Sequence, residues 1–175
     1  MSTILRCPGC GLEMPEGCLP YEGYFNASNE CWAVFCEVLE AEFSDAVLFG
    51  RAHQLTVDAY AVQHAGGQHP DKSVAVHLSG LYLALERGLA LPQIAPRMQA
   101  IAEHVERWPH FELPARRAKL TIFDVAAVAG SRDHDTRVRE LAREVWSSWS
   151  AHHHAIADFV HTALSADEGH LARRS

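Results

Sequence analysis

From Ser28 onward, apolar residues recur at intervals of three and four. Trp32, Phe35, Leu39 and Phe43 fall on one side of SNECWAVFCEVLEAEFSD, which predicts a helix of about four turns opened by a capping serine. Gly50 marks a break, and RAHQLTVDAYAVQH (51–64) is then apolar almost all round, the signature of a central helix. The turn AGGQHPDK leads to a third helix, SVAVHLSGLYLALERG, with Gly88 as its C-terminal cap. A fourth begins near Pro92 and stops at Trp108-Pro109, with Pro96 in its first turn. Residues 108–120 read as an irregular crossing segment. Thr121-Ile-Phe-Asp124 has the form of a capping box for a short helix ending at Gly130. One long helix is expected from Asp133 to Leu164.

No segment alternates convincingly with the period of a strand. The predicted class is therefore all-α, an irregular bundle of five to six helices, 28–165, with a Cys-rich knuckle, 1–27, packed on it as part of a single domain. Residues 166–175 read as a frayed tail.

The chain has 175 residues, enough to bury a core without disulfides. Hydrophobic residues make up 48% and charged residues 21%, which excludes disordered and fibrous classes. A net charge of −7 argues against nucleic acid as a partner. No apolar run approaches a bilayer span, so no membrane partner is expected, while a homo-oligomer remains open. The N-terminal residues lack the apolar stretch and cleavage site of a signal peptide, which predicts a cytoplasmic protein.

The five cysteines, Cys7, Cys10, Cys18, Cys31 and Cys36, all lie in about the first fifth of the chain. An odd, clustered set in a reducing compartment points to metal or redox chemistry rather than a disulfide framework. Cys7-Pro-Gly-Cys10-Gly11 supplies two thiols in a tight turn, the half-site of a tetrahedral zinc knuckle. No second CxxC exists, so the other ligands must come from the bundle.

Helix register nominates them. If the first two helices form an antiparallel hairpin, level residues have numbers adding to about 95, which pairs Cys31 with His64. The same treatment of the second and third helices pairs His64 with His77. The predicted metal ligands are Cys7, Cys10, Cys31 and His64, with zinc as the expected ion and His77 as the substitute for Cys31. His53 lies about 16 Å along the helix from His64 and is read as a half-buried histidine bonded to a carboxylate. Asp58 is the carboxylate on this apolar helix that must find a partner if buried. Trp149, His153, Ile156 and Val160 share a stripe, and His152, His153 and His154 read as mainly surface residues. Cys18 and Cys36 read as dispensable, Cys36 as a small core residue.

CPGCG, ASNECWAVFCEVLEAEF, HQLTVDAYAVQH with its Gly-rich turn, SVAVHLSGLYLALERG and VWSSWSAHHHAI together resemble a bacterial family of unknown function over about residues 7–160. The stretch from His53 to Gly88 is the most specific part. The family usually carries Pro directly after the QH, where this chain has Ala65-Gly66-Gly67. The resemblance implies a single fold and no particular reaction.

Nucleophile elbow, phosphate loop, dinucleotide fingerprint, HExxH and Glu-x-x-His motifs are all absent. The leading expectation is a small soluble helical protein with a structural zinc site. One alternative is a zinc-dependent hydrolase or thiol transferase with an open metal position, assisted by His77 or Asp58. Another is a thiol-based redox regulator or interaction module.

Overall fold

The computed structural model of the chain describes residues 3–17 and 23–171. Ile4–Arg6 (β1) and Glu13–Pro15 (β2) pair antiparallel, with Leu5 opposite Met14. The knuckle therefore sits on a small hairpin where the sequence predicted only loop. Strands of three residues are too short to display an alternation.

Seven α-helices follow among the described residues. They are α1 (Asn29–Ser44), α2 (Ala46–Gln63), α3 (Asp71–Leu85), α4 (Ile94–His104), α5 (Ile122–Ala126), α6 (His134–Ser148) and α7 (His153–Leu171). Helix α2 is central and packs on α1, α3 and α6, as its apolar circumference requires. Leu55, Tyr60, Leu78, Leu141, Trp149 and Ile156 are all fully buried or nearly so.

Helices α1 and α2 part at Asp45, five residues before the expected break. The Asp45 carboxylate accepts from Val47 N at 2.8 Å and Leu48 N at 3.1 Å, capping α2, and Gly50 lies inside the helix. The predicted register nevertheless holds. Phe35 stacks on Tyr60 with ring centroids 3.8 Å apart, Glu42 meets His53, and Cys31 meets His64. Each of these pairs adds to the expected 95.

The α2–α3 register differs. His77 pairs with Asp58 rather than lying level with His64, a displacement of six residues, or about 9 Å along α2. Gly66 and Gly67 take φ values of 93° and 59°, so this turn uses left-handed backbone that only glycine adopts freely.

The expected long last helix is broken. Trp149 leaves helical geometry at φ −88° and ψ 13°, and a 3-10 turn covers Ser150–His152. His153 Nε2 donates to the Trp146 carbonyl at 2.9 Å, which also accepts from Trp149 N at 3.0 Å, and its ring stacks on Trp146. This break, with the division around it, raises the helix count to seven. The Thr121–Asp124 capping box forms as predicted, and Pro96 is accommodated in the first turn of α4 behind a 3-10 turn at Leu91–Gln93. Helix α7 runs on to Leu171, and residues 172–175, the end of the expected frayed tail, lie outside the described residues. No helix among the described residues is long and apolar enough to cross a membrane.

Candidate metal centre

The loop between β1 and β2 is shaped by its own backbone. Cys7 N donates to Leu12 O at 2.8 Å, and Gly11 N donates to Cys7 O at 2.9 Å. Gly11 adopts φ 83°, and Leu12 N points at Cys10 Sγ, 3.5 Å away. An amide aimed at a sulfur stabilises thiolate charge, which a metal ligand of this kind requires. Gly9 has a different reason to be glycine. A Cβ there would meet His64 Cδ2 and Asn26 O, each at 2.5 Å, so any side chain would hold the knuckle off the histidine.

The bundle supplies the remaining donors. Ser28 caps α1 by accepting from Cys31 N at 3.2 Å, which fixes Cys31 in the first helical turn. His64 is the C-terminal cap of α2, where the chain leaves helical geometry. Asn26 N donates to His64 O at 2.9 Å, and His69 Nδ1 lies 3.1 Å from the same carbonyl. The His64 backbone is thus held from two sides.

Cys7, Cys10, Cys31 and His64 each present one donor atom, and the four atoms lie within 4.8 Å of one another. Cys10 Sγ is 3.7 Å from Cys31 Sγ, and Cys31 Sγ is 3.3 Å from His64 Nε2. Those separations match the ~3.3–3.8 Å edges of a tetrahedron around zinc. Cys7, Cys31 and His64 are inaccessible to solvent, and Cys10 is only 6% exposed. The cluster can hold a metal ion.

Its electrostatics without an ion are those of crowded donors. Hydrogen bonds from Cys10 and Cys31 hold the Cys7 thiol far below its ordinary value. The bonds that Cys31 gives to Cys10 and Cys7, with burial, push its own value far up. At His64 burial favours the neutral ring, but hydrogen bonds and the charge of Cys10 and Cys7 outweigh it and raise the value to about 9. Protons are therefore shared among ligands that a cation would replace.

The other sequence candidates lie elsewhere. His77 Nδ1 donates to Asp58 Oδ1 at 2.8 Å, and Gln54 Nε2 reaches both Asp58 oxygens at 3.0 Å. Asp58 is fully buried, and that burial raises its pKa, opposed by His77. His53 is half-buried and bonds a carboxylate as expected, Glu42, at 2.8 Å. His152 lies against Glu112 O, and His154 is exposed and pairs with Asp158. Cys36 is exposed rather than in the core, and Cys18 lies outside the described residues.

Glu42 was not read from the sequence as a candidate, yet it anchors a second buried polar cluster. It accepts from His53, from His134 Nε2 at 3.1 Å and from the Thr56 hydroxyl. Gly130 N donates to His134 Nδ1 at 3.1 Å, so Nε2 is the nitrogen that donates to Glu42. The signal was available in the spacing, because Phe35, Val38 and Glu42 share the buried face of α1.

Residues 5–150 match the family of unknown function DUF5946. The chain belongs to this family. The match spans the knuckle, α1 to α6 and every residue of the Cys7–Cys10–Cys31–His64 cluster, so the cluster lies inside the family domain. No curated protein and no solved structure matches the chain.

Proposed function

We propose that this chain is a zinc protein whose metal is structural. Cys7, Cys10, Cys31 and His64 would hold one zinc ion and fasten the β-hairpin to the α1–α2 hairpin. The observation that carries this reading is the closure of the site. Four donors, three sulfurs and one imidazole, converge in a buried cluster, enough to fill a tetrahedral shell without water or substrate. Three soft sulfurs favour zinc over magnesium or calcium. A thiol-rich site of this kind also fits a reducing, cytoplasmic compartment.

The open-site alternative requires a vacant ligand position and an assisting base. Cys31 would fill the corner that water would take, and His77 and Asp58 are bonded to each other away from the thiols. The site therefore favours a structural role over hydrolysis or thiol transfer.

The test is elemental mass spectrometry of the purified protein together with X-ray absorption at the zinc edge. The expected result is one zinc per chain with three sulfur and one nitrogen neighbours. Zinc bound with an oxygen neighbour would turn the reading toward catalysis. Protein that folds without metal and takes up none would remove it.

A further inference from the structure

Residues 105–121 join α4 to α5 with no regular structure, a length of loop that in compact domains usually carries function. The loop forms one wall of an open cleft of about 780 Å³, and the turn after α6 forms the other. That volume lies within the range of small-molecule sites, ~300–1,000 Å³.

Three cationic side chains line the cleft beside two carboxylates, Glu112 and Glu144, in a chain of net charge −7. Arg116, Arg117 and Lys119 line the loop wall, and Ser147 and Ser150 line the opposite one. Among the described residues, the Arg116 and Lys119 side chains have no carboxylate partner, and the Ser147 and Ser150 hydroxyls have no hydrogen bond. Arg117 Nη2 donates to Pro8 O at 2.8 Å and ties this wall to the knuckle. Glu144 also faces the cleft, but its Oε2 already accepts from Lys119 N at 2.8 Å and Leu120 N at 3.0 Å.

A smaller cavity of about 110 Å³ adjoins the cleft and shares Leu113, Pro114, Arg117, Ala118 and Ser148 with it. Its walls are largely apolar, with Val62 and Trp149 at the back. Gln63 lines it as well. Its Nε2 donates to Leu120 O at 2.8 Å, while its Oε1 is buried and has no partner. A buried acceptor left unpaired costs free energy that a ligand's N–H or O–H would recover.

We propose that this composite pocket binds a small organic anion. The phosphate or carboxylate head lies between Arg116, Lys119 and the two serine hydroxyls, and an apolar tail bearing a donor reaches Gln63 Oε1. The planar guanidinium suits either oxyanion, and the paired serines add neutral donors. The site is independent of which metal the cluster holds, although the knuckle backbone forms part of the inner wall.

Isothermal titration calorimetry of the purified, metal-containing protein tests it. The probes are 4-aminophenyl phosphate, phenyl phosphate and 4-aminobenzoate. We expect binding below ~1 mM by at least one of the two amino-bearing probes, and the stronger of them identifies the head group. The amino group should tighten binding over phenyl phosphate where phosphate is the head. The double variant Arg116→Ala/Lys119→Ala should weaken binding by at least ~10-fold, with unchanged helical signal and metal content. No heat from any probe up to ~10 mM would overturn the proposal. Unchanged affinity in the double variant would also overturn it. Equal affinity for the two aryl phosphates would overturn the placement of the tail.

Discussion

His64 turns its Nδ1 back onto the carbonyl of Tyr60, 2.8 Å away and one helical turn earlier. The Nδ1 proton is thereby committed to the backbone, and Nε2 is the nitrogen that faces the sulfurs. The ring is oriented before any ion arrives.

Uptake of a metal ion such as zinc by this arrangement should depend strongly on pH. In the metal-free protein His64 keeps its second proton up to about pH 9, and Cys31 keeps its thiol proton. Both must leave when the ion binds, so affinity should fall as pH drops between pH 6 and 8. Zinc titrations in buffers of different ionisation enthalpy read the proton count directly, and a count near zero would contradict the assignment. The raised His64 value has the opposite effect on the metal-free fold. Its stabilising contribution is fully present below the ordinary histidine pKa and is lost as pH rises through 9.

Cys10→Ser and Cys36→Ser should separate cleanly. The first removes a buried ligand, so zinc content should collapse and the chain should lose several kcal/mol, about the scale of a structural site's linkage to folding. The second changes an exposed side chain, and both zinc content and Tm should be unaffected. Equal zinc loss in both variants would contradict the ligand set.

Glu42→Ala should be among the most destabilising substitutions outside the metal centre. It leaves the His134 donor without its acceptor in the core and Thr56 with only its bond to Ala52 O, at a cost of roughly 3 kcal/mol by urea unfolding. His53→Ala, at the half-buried edge of the same cluster, should cost only about 1 kcal/mol.

Gly80→Ala tests close packing between α2, α3 and α4. A Cβ at this position would overlap Asp58 Oδ2 and lie 2.8 Å from both Asp58 Cγ and Met98 Sδ. Alanine normally gains up to about 1 kcal/mol over glycine within a helix. Here overpacking should reverse the sign, giving a net loss of about 1–3 kcal/mol. A higher Tm for the variant would show that Asp58 moves aside freely.

The clustering of Cys7, Cys10, Cys31 and His64 was legible because three of the four residues are placed by rules that act locally. A CxxC turn and a helix-start cysteine need no tertiary information, and a hairpin register carries Cys31 to His64. Phe35 on Tyr60 and Glu42 on His53 obey the same register, so the agreement extends along the whole hairpin. His77 was misplaced because the α2–α3 turn is built on two positive-φ glycines and a bonded His69, geometry that spacing does not encode. The break at Trp149 was hidden for a related reason. Its flanks read as helix, and only the burial of the indole and the His153 bond to Trp146 O show why the chain leaves the helix there.

The α1–α2 hairpin is pinned at both ends by polar groups, the thiols and His64 at one and Glu42 with its histidines at the other. A slip of one turn would separate Cys31 from His64 and strip Glu42 of its donors together, so two independent penalties oppose the same motion. Were a metal ion at the thiol end to leave, the Glu42 end would still hold the helices in phase. The knuckle can then come away like a released clasp while the hairpin keeps its alignment, and returning metal meets Cys31 and His64 still facing each other.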